Sequence, residues 1–517
     1  MLWRIEVKRY RMNSKLKNLR WNSILALCYQ AVLIVTGLLL PRFFLRFYGS
    51  EVNGLITSIN QFLAFINICD LGISAVVSSA YYKPLADGDT HQISKVFVYS
   101  KRFFKSIGII LCAYIVFLLI VYPTWINNSF DYWFTFTLIV AMSISQLGQY
   151  FIGISYQLLL NADQKSYVQL SVNGVTLLCN TVISILLMFV GANIQIVKLT
   201  TSLIYLLRPI LMCIYVKKHY AINQTVTVDT SVVTQKKNGI IQHIAYMVYE
   251  NTDIMVLTLF STLENVSIYA IYTMVTNSIK QIITAAITGV QALLGNLIAE
   301  KQQENLTKFY SFYSWGFHTI SALLFTITGL LIVPFVSVYT SNIEDADYYT
   351  PVFAILITLV YYLSSIRNCN YVLIRAAGHY KQTQWASLLE AALNLIISII
   401  CVFHFGLVGV AIGTSIATLF FVIYEIVYFS KNIVFLPIRH FIKQVIVEFI
   451  SVGISISIAV HVDVFTGSLI SWLLQAVIIS LICCFACLLS QMIFYRDNLS
   501  MIKTSIIKKS KGDMNDK

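Results

Sequence analysis

The chain has 517 residues, of which 58% are hydrophobic and 11% are charged, whereas about a quarter of the residues in a soluble protein are charged. Lysine and arginine outnumber aspartate and glutamate by 36 to 23, which gives a formal net charge of +13. A soluble globule of this length cannot cover so much apolar surface, so the composition excludes an aqueous enzyme, a disordered chain and a disulfide scaffold. The basic excess would indicate nucleic-acid binding only if it were clustered on an exposed domain, and it is not.

Apolar stretches recur along the whole chain, and each is long enough to cross about 30 Å of hydrocarbon as a helix. They predict an all-α polytopic membrane protein with fourteen transmembrane spans. The predicted limits are 22–45, 53–82, 103–122, 132–160, 167–190, 194–216, 238–260, 266–298, 309–339, 350–375, 382–404, 406–429, 440–462 and 466–494.

Basic residues are distributed unevenly between the predicted loops. If the N-terminus is cytoplasmic and the spans alternate, 30 of the 36 lysines and arginines lie on the cytoplasmic side and four lie inside spans. The outer side then has two, Arg42 and Arg46. Cytoplasmic loops of membrane proteins carry such an excess, so both termini are predicted to be cytoplasmic. No cleavable signal peptide is predicted, because the first span is too long for one and follows a basic segment.

No predicted loop is long enough to fold as a separate catalytic or nucleotide-binding domain. The sequence has no G-x-x-x-x-G-K-[ST] motif, so we do not expect the chain to use ATP. Cys483, Cys484 and Cys487 have the spacing of metal ligands, but thiols in an apolar span favour a packing role. We therefore expect no metal and no resident cofactor, and we do not expect an enzyme.

The chain matches itself at a shift of 213 to 216 residues. For example, Asn180 and Ser184 meet Asn394 and Ser398 at a shift of 214. Each repeat then holds six spans, and an even number of spans gives both repeats the same orientation, so a pseudo-twofold axis along the membrane normal is predicted. The predicted domains are a basic N-terminal tail 1–21, an N-terminal lobe 22–217, an inter-lobe loop 218–237, a C-terminal lobe 238–430, a C-terminal helix pair 431–495 and a basic tail 496–517.

Polar side chains form stripes on the first two spans of each repeat. Ionisable residues inside a membrane are costly, so their positions indicate function. The main stripes are Asn67 and Asp70 on span 2, His243, Tyr246, Glu250 and Asp253 on span 7, and Lys280 and Gln281 on span 8. We expect these faces to line one central cavity. For span 2, helix packing and a structural Asp70–Lys280 pair are the alternatives.

Two further cations lie within spans. Arg208 in span 6 precedes Pro209, which is expected to kink the helix. Arg367 lies in span 10. Both lie several residues from the predicted cytoplasmic ends of their spans. The sequence therefore leaves two positions open for each side chain: it snorkels to the membrane interface, or it faces a polar interior of the protein.

Two segments, Phe47–Leu55 and Asp70–Ile73, resemble the region from the end of helix 1 into helix 2 of Wzx-type bacterial polysaccharide flippases. These flippases form a branch of the multidrug/oligosaccharidyl-lipid/polysaccharide (MOP) exporter superfamily. The segments Lys83–Ala86 and Ala376–Gly378 have a similar character at inner helix ends. The predicted span number, the parallel repeat and the short loops agree with the same family.

The resemblance implies a function. The substrate would be an oligosaccharide repeat unit on undecaprenyl pyrophosphate, moved by alternating access from the cytoplasmic to the outer leaflet of the bacterial inner membrane. The implied counter-ion is a proton or Na⁺, and no cofactor is implied. The implied partners are membrane lipids, a polysaccharide polymerase and a chain-length regulator, without nucleic acid.

The resemblance also implies roles for the polar residues. Cations would hold the pyrophosphate, and polar side chains would hold the glycan. The residues expected to bind the substrate are Lys280, Arg208, Arg367, Asn67, Gln281 and Tyr246. An exchanged ion needs a carboxylate whose occupancy changes with conformation. The residues expected to couple transport to an ion are Asp253, Glu250, Asp70 and His243.

Three other functions remain open on the sequence. A drug or cation antiporter of the sister MATE branch would share the lobes, but it would need a net anionic cavity. A membrane polysaccharide polymerase or ligase would need a long outer loop with basic catalytic residues, and the predicted outer side carries Arg42 and Arg46 alone. A structural scaffold would not need stripes of buried acids.

Overall fold

The computed structural model describes residues 2–70, 72–126, 129–226, 240–285, 287–462 and 467–500. All of its regular elements are helical, which confirms the predicted all-α fold class. Ten of the described helices are long and apolar enough to cross a membrane. The chain is a multi-pass membrane protein.

The described residues form fifteen α-helices and three short helical segments of other types. The α-helices are α1 (Leu2–Ala64), α2 (Ile73–Asp87), α3 (Thr90–Val121), α4 (Tyr132–Gly148), α5 (Ile154–Ala162), α6 (Ser166–Phe189), α7 (Ile194–His219), α8 (Ile240–Phe260), α9 (Leu263–Ala285), α10 (Ile287–Ala299), α11 (Gln303–Tyr339), α12 (Pro351–Ala377), α13 (Tyr380–Asn432), α14 (Ile438–Ala459) and α15 (Leu469–Phe494). A 3-10 segment covers Phe65–Asp70, and π-helical segments cover Tyr122–Ile126 and Gln149–Gly153. Each of the fourteen predicted spans coincides with a helix, with part of a broken helix or with consecutive helices.

Two long helices each contain predicted spans on both sides of a glycine. The α1 helix is interrupted at Gly49, whose φ is 84°, and α13 is interrupted at Gly406, whose φ is 52°. A positive φ strains residues that carry a Cβ atom, and glycine avoids this strain. These glycines therefore separate span 1 from span 2 and span 11 from span 12.

The left-handed turns between helices recur at the spacing of the predicted repeat. Residues with positive φ follow α2, α5 and α6, and residues with positive φ also follow α10 and α12 and interrupt α13 in the second repeat. The matching pairs are Gly88 with Lys301, Gln164 with Gly378, and Gly191 with Gly406, at separations of 213, 214 and 215 residues. The internal repeat is therefore present in the backbone turns as well as in the sequence.

The chain divides into two compact units between Ser267 and Ile268. The first unit contains α1 to α8 and the start of α9, and its core includes the fully buried Tyr81 and Phe97. The second contains the rest of α9 and α10 to α15, with a core around Tyr310. Much of the predicted inter-lobe loop 218–237 lies outside the described residues, and the predicted domain limits stay a prediction.

The segment Phe47–Leu55 of α1 contacts other parts of the first unit. The Tyr48 hydroxyl donates to the Ala192 carbonyl at 2.6 Å, and the Asn53 amide donates to the Ser267 hydroxyl at 2.8 Å. Gly54 lies so close to α9 that a Cβ atom there would be 1.9 Å from the Leu263 carbonyl oxygen. The residues that carry the family resemblance thus pack the helices of this unit together.

Candidate functional site

A cavity of about 580 Å³ lies inside the first unit. Its volume is within the range of pockets that bind small ligands. The polar residues that line it are Asn67, Asp70, Ser74, Ser145, Gln146, Gln149, Tyr150, Gln157, Tyr205, Arg208 and His243. The apolar residues that line it are Phe104, Ile154, Leu158 and Met247. A cavity lined by eleven polar side chains within membrane-spanning helices is the candidate functional site.

The second predicted span is broken where it borders this cavity. After α1 the chain forms the 3-10 segment Phe65–Asp70, and Gly72 follows with a φ of 73°. The break frees the carbonyls of Phe62 and Leu63, which accept hydrogen bonds from other helices. Irregular backbone at membrane depth is tolerated where it is buried in protein or lines a polar cavity. The broken span therefore brings Asn67 and Asp70 to the cavity wall.

Side chains from α3 and α4 satisfy the freed carbonyls. The Tyr114 hydroxyl donates to the Phe62 oxygen at 3.0 Å, and the Gln146 amide donates to the Leu63 oxygen at 3.0 Å. The Tyr150 hydroxyl donates to the Asn67 side-chain oxygen at 2.7 Å. These bonds fix the cavity wall in one arrangement, because an unsatisfied buried carbonyl would be costly.

The fourth predicted span also departs from α-helical geometry at the cavity. The π-helical segment Gln149–Gly153 lies between α4 and α5, and π-bulges are frequent at functional sites. The Gln149 amide donates to the Gln157 side-chain oxygen at 2.9 Å. A Cβ atom at Gly153 would lie 2.3 Å from the Gln149 side-chain oxygen. The glycine therefore leaves room for the Gln149 amide in the cavity wall.

Replacing Gly153 by alanine is expected to displace the Gln149 side chain and to weaken ligand binding. The clash is with the end of a flexible side chain, so the fold should survive. Loss of one hydrogen bond of about 1 kcal/mol corresponds to about fivefold weaker binding. Ligand affinity and the melting temperature of the purified variant would be measured together. Gly174→Ala is the control, because its Cβ atom would meet nothing closer than 3.7 Å; equal affinities for the two variants would contradict the prediction.

Arg208 contributes the permanent positive charge among the lining residues. Its Nε atom donates to the Thr176 hydroxyl at 2.8 Å, and its guanidinium lies 3.7 Å from the Tyr205 ring centroid. The Tyr205 hydroxyl in turn accepts a hydrogen bond from Asn180 at 3.2 Å. Stacking on an aromatic ring holds a guanidinium in a defined plane. Arg208 is therefore fixed in the cavity wall instead of snorkelling freely to the interface.

Asp70 brings a negative charge to the same cavity. Its Oδ1 atom accepts hydrogen bonds from the Ser74 backbone N–H at 3.1 Å and from the Ser74 hydroxyl at 3.0 Å. The carboxylate thus caps the start of α2, where the helix dipole favours a negative charge. With Arg208 it makes the formal charge of the lining residues zero when His243 is neutral.

Four of the ten predicted site residues line the cavity: Asn67, Asp70, Arg208 and His243. The other residues predicted in span 7 lie on α8, where Asp253 is buried and Glu250 is exposed. Tyr246 lies on the same helix and is half-buried. The predicted roles of these three residues stay predictions.

The remaining predicted residues belong to the second unit. Lys280 and its neighbour Gln281 lie on α9, and the Lys280 ammonium is 5.5 Å from the Tyr361 ring centroid. Arg367 on α12 forms a buried ion pair with Glu390 on α13 at 2.9 Å. Its expected role as a pyrophosphate ligand also stays a prediction.

Three of the four amide residues of the cavity are absent from the predicted site. The predicted residues come mainly from the first two spans of each repeat, whereas Gln146, Gln149 and Gln157 lie on span 4. Their spacing of 3 and 8 residues places them on one side of a helix, which was an available signal. Tyr150 and Tyr205 carry no such signal, because aromatic residues are common throughout this sequence.

No protein-family model and no curated protein matches this sequence. Several solved structures resemble the fold. The lipid II flippase MurJ in an inward closed conformation matches 92% of this chain and 99% of its own length, with a TM-score of 0.69 and 15% identity. An inward-facing multidrug resistance MATE family transporter of the MOP superfamily matches 78% and 94%, with a TM-score of 0.59 and 13% identity. The MATE multidrug transporter DinF-BH matches 81% and 97%, with a TM-score of 0.53 and 17% identity.

At identities of 13% to 17%, these matches establish the fold. The match to MurJ extends over more of this chain than the matches to the MATE transporters do. The chain therefore has the fold that the lipid II flippase MurJ shares with MATE transporters of the MOP superfamily.

Proposed function

We propose that the protein translocates a lipid-linked oligosaccharide across the membrane, and that the cavity of the first unit binds the sugar part. The observation that carries this proposal is the chemistry of the cavity wall, in which eight of the fifteen lining residues carry an amide or hydroxyl group. A lipid tail does not need such a cavity, because it can remain in the bilayer. A hydrophilic headgroup does need one, because crossing bare hydrocarbon would leave its polar groups unsatisfied.

Amide side chains suit sugar hydroxyls because each carries both a donor and an acceptor. Gln146, Gln149, Gln157 and Asn67 supply four such groups to the cavity wall. The balanced charges of Asp70 and Arg208 favour a ligand with many hydroxyl groups over a cationic drug, which would prefer a net negative site.

The proposed substrate is an oligosaccharide repeat unit on undecaprenyl pyrophosphate, and the proposed direction is from the cytoplasmic to the outer leaflet of a bacterial inner membrane. Arg208 is the proposed contact of the phosphate groups in this cavity, and the expected roles of Lys280 and Arg367 stay predictions. A proton or Na⁺ gradient would drive the transport through Asp253, Glu250 or Asp70. A polysaccharide polymerase and a chain-length regulator are the proposed partners that receive the product.

A MATE-like antiporter for cations or drugs is the second candidate. The observation in its favour is the fold shared with two multidrug transporters. The amide-rich cavity favours the flippase, because a drug site of stacked apolar rings would not need four amide groups.

Translocation in proteoliposomes tests the proposed function. Vesicles with the purified protein and a fluorescent undecaprenyl-pyrophosphate oligosaccharide would be treated with an external glycosidase that cannot cross the bilayer. We expect the external glycosidase to cleave substrate that starts in the inner leaflet of the vesicles with the protein, but not in protein-free vesicles. If both kinds of vesicle protect the inner pool equally, and the protein instead exchanges a cationic dye for protons, the antiporter is the correct function.

A further inference from the structure

Two buried side chains and the half-buried Tyr362 meet between α11, α12 and α14 in the second unit. The His318 Nδ1 atom lies 3.1 Å from a carboxylate oxygen of Glu448, and the Tyr362 hydroxyl donates to the other carboxylate oxygen. His318 is 2% exposed and Glu448 is 6% exposed. Glu448 lies in the first half of predicted span 13. In the structure it is a buried carboxylate with two hydrogen-bonding partners.

This cluster is one rung in a series of polar contacts between α11 and α14. Ser314 meets Gln444 one turn before His318 meets Glu448, and the Gln444 amide donates to the Ser314 carbonyl at 2.9 Å. Both pairs are separated by 130 residues, so the two helices run in the same direction. The Ser314–Gln444 rung is neutral at every physiological pH. The His318–Glu448 rung differs because both of its groups exchange protons.

The charge of this rung depends on one proton. An ionised Glu448 beside a neutral His318 leaves one net negative charge in the protein interior. A single proton, placed on either group, removes that net charge and its desolvation cost. Within the described residues the His318 Nε2 atom has no hydrogen-bond partner, so protonation breaks no existing bond.

Other titratable groups lie near the rung. They are Tyr362 on α12, His440 and Lys443 on α14, Cys487 on α15 and Tyr495 after α15. Lys443 is exposed, and its ammonium donates to the Phe494 carbonyl at 3.0 Å. The phenols and the thiol are neutral when protonated, so they cannot cancel a negative charge on Glu448.

We propose that His318, Glu448 and Tyr362 form a site that binds one proton and couples its binding to the packing of α14 against α11 and α12. With the proton bound, the rung is neutral and α14 stays closely packed. Without the proton, the buried negative charge favours water entry along α14. This proposal is independent of the proposed substrate, because it concerns helices outside the candidate cavity.

Hydrogen exchange of the full-length protein in nanodiscs tests this site. Deuterium uptake of α14 peptides would be followed by mass spectrometry from pH 5.5 to 8.5, corrected for the intrinsic exchange rate, with α6 peptides as the internal reference. A single titrating site changes an opening equilibrium by at most about tenfold per pH unit. We expect the protection of α14, relative to α6, to fall by about tenfold across this range as the proton is lost.

Glu448→Gln removes the ionisable carboxyl but keeps its size and hydrogen-bonding capacity, so we expect its α14 protection to be independent of pH. Gln444→Leu is the matched control in the same series of contacts. It should lower α14 protection evenly at every pH and keep the pH dependence of the wild type. His318→Gln should change the pH dependence of α14 protection, because it removes one of the two groups that can hold the proton.

Protection of α14 that does not change with pH in the wild-type protein would overturn the proposal. The same pH dependence in the wild type and in both Glu448→Gln and His318→Gln would also overturn it, because the rung would then be a structural hydrogen bond alone. If Glu448→Gln does not fold, His318→Gln decides the question by itself. The measurement uses no substrate, so its outcome does not depend on the outcome of the translocation assay.

Discussion

Replacing Arg208 by leucine is expected to slow the proposed translocation of a lipid-linked substrate at least about tenfold while the protein remains folded. Arg208 is the permanent cation among the lining residues that the structure describes, and its guanidinium is held by Thr176 and Tyr205. Hydrogen bonds to a charged group contribute about 1.5 to 3 kcal/mol. Loss of this group therefore lowers the translocation rate by at least about tenfold, with a further loss because Asp70 then leaves the cavity net negative.

Arg208→Lys separates charge from geometry in the same assay. Lysine keeps the positive charge but lacks the planar group that stacks on Tyr205 and the Nε atom that donates to Thr176. We expect an intermediate rate, because the two cations are not interchangeable at a stacked site. Translocation by Arg208→Leu at the wild-type rate, with equal protein in the vesicles, would show that the cavity cation has no part in transport.

Replacing Gly54 by alanine is expected to destabilise the first unit. The added methyl group would lie 1.9 Å from the Leu263 backbone oxygen, which cannot rotate away as a side chain can. Forcing extra volume into a close-packed contact costs about 1 to 3 kcal/mol, and the upper end applies where backbone must move. The melting temperature and the yield of monodisperse protein in detergent measure this effect.

Gly37→Ala is the control for this prediction. Gly37 also lies in α1, but a Cβ atom there would meet no atom within 4 Å. Since alanine favours helix more than glycine by about 1 kcal/mol, this variant should melt at or above the wild-type temperature. Equal melting temperatures for Gly54→Ala and Gly37→Ala would contradict a close contact between α1 and α9 at Gly54.

Most of the helical order could be predicted from hydropathy, because a span must satisfy its backbone hydrogen bonds internally. The repeat could be predicted as well, and the paired left-handed turns such as Gly191 and Gly406 confirm it. The break in span 2 could not be predicted. Its freed carbonyls are satisfied by Tyr114 and Gln146, and these partners depend on how distant helices pack.

The candidate site was partly predictable for a similar reason. Charged residues such as Asp70 and Arg208 stand out in an apolar sequence because their burial is costly. Neutral amides such as Gln149 do not stand out, although they supply four of the eleven polar side chains in the cavity wall. The partner of a buried charge was not predictable either, since Arg367 pairs with Glu390 only because α12 packs beside α13.

Photo-crosslinking tests most directly whether the cavity of the first unit binds the sugar. An undecaprenyl-pyrophosphate oligosaccharide with a diazirine on its terminal sugar would be activated by light in the presence of the wild-type protein, and labelled peptides would be identified by mass spectrometry. We expect labels on residues 145–158, and competition by the unlabelled substrate should remove them. Competed labels elsewhere in the chain, with none on the helices that line this cavity, would contradict sugar binding at this site.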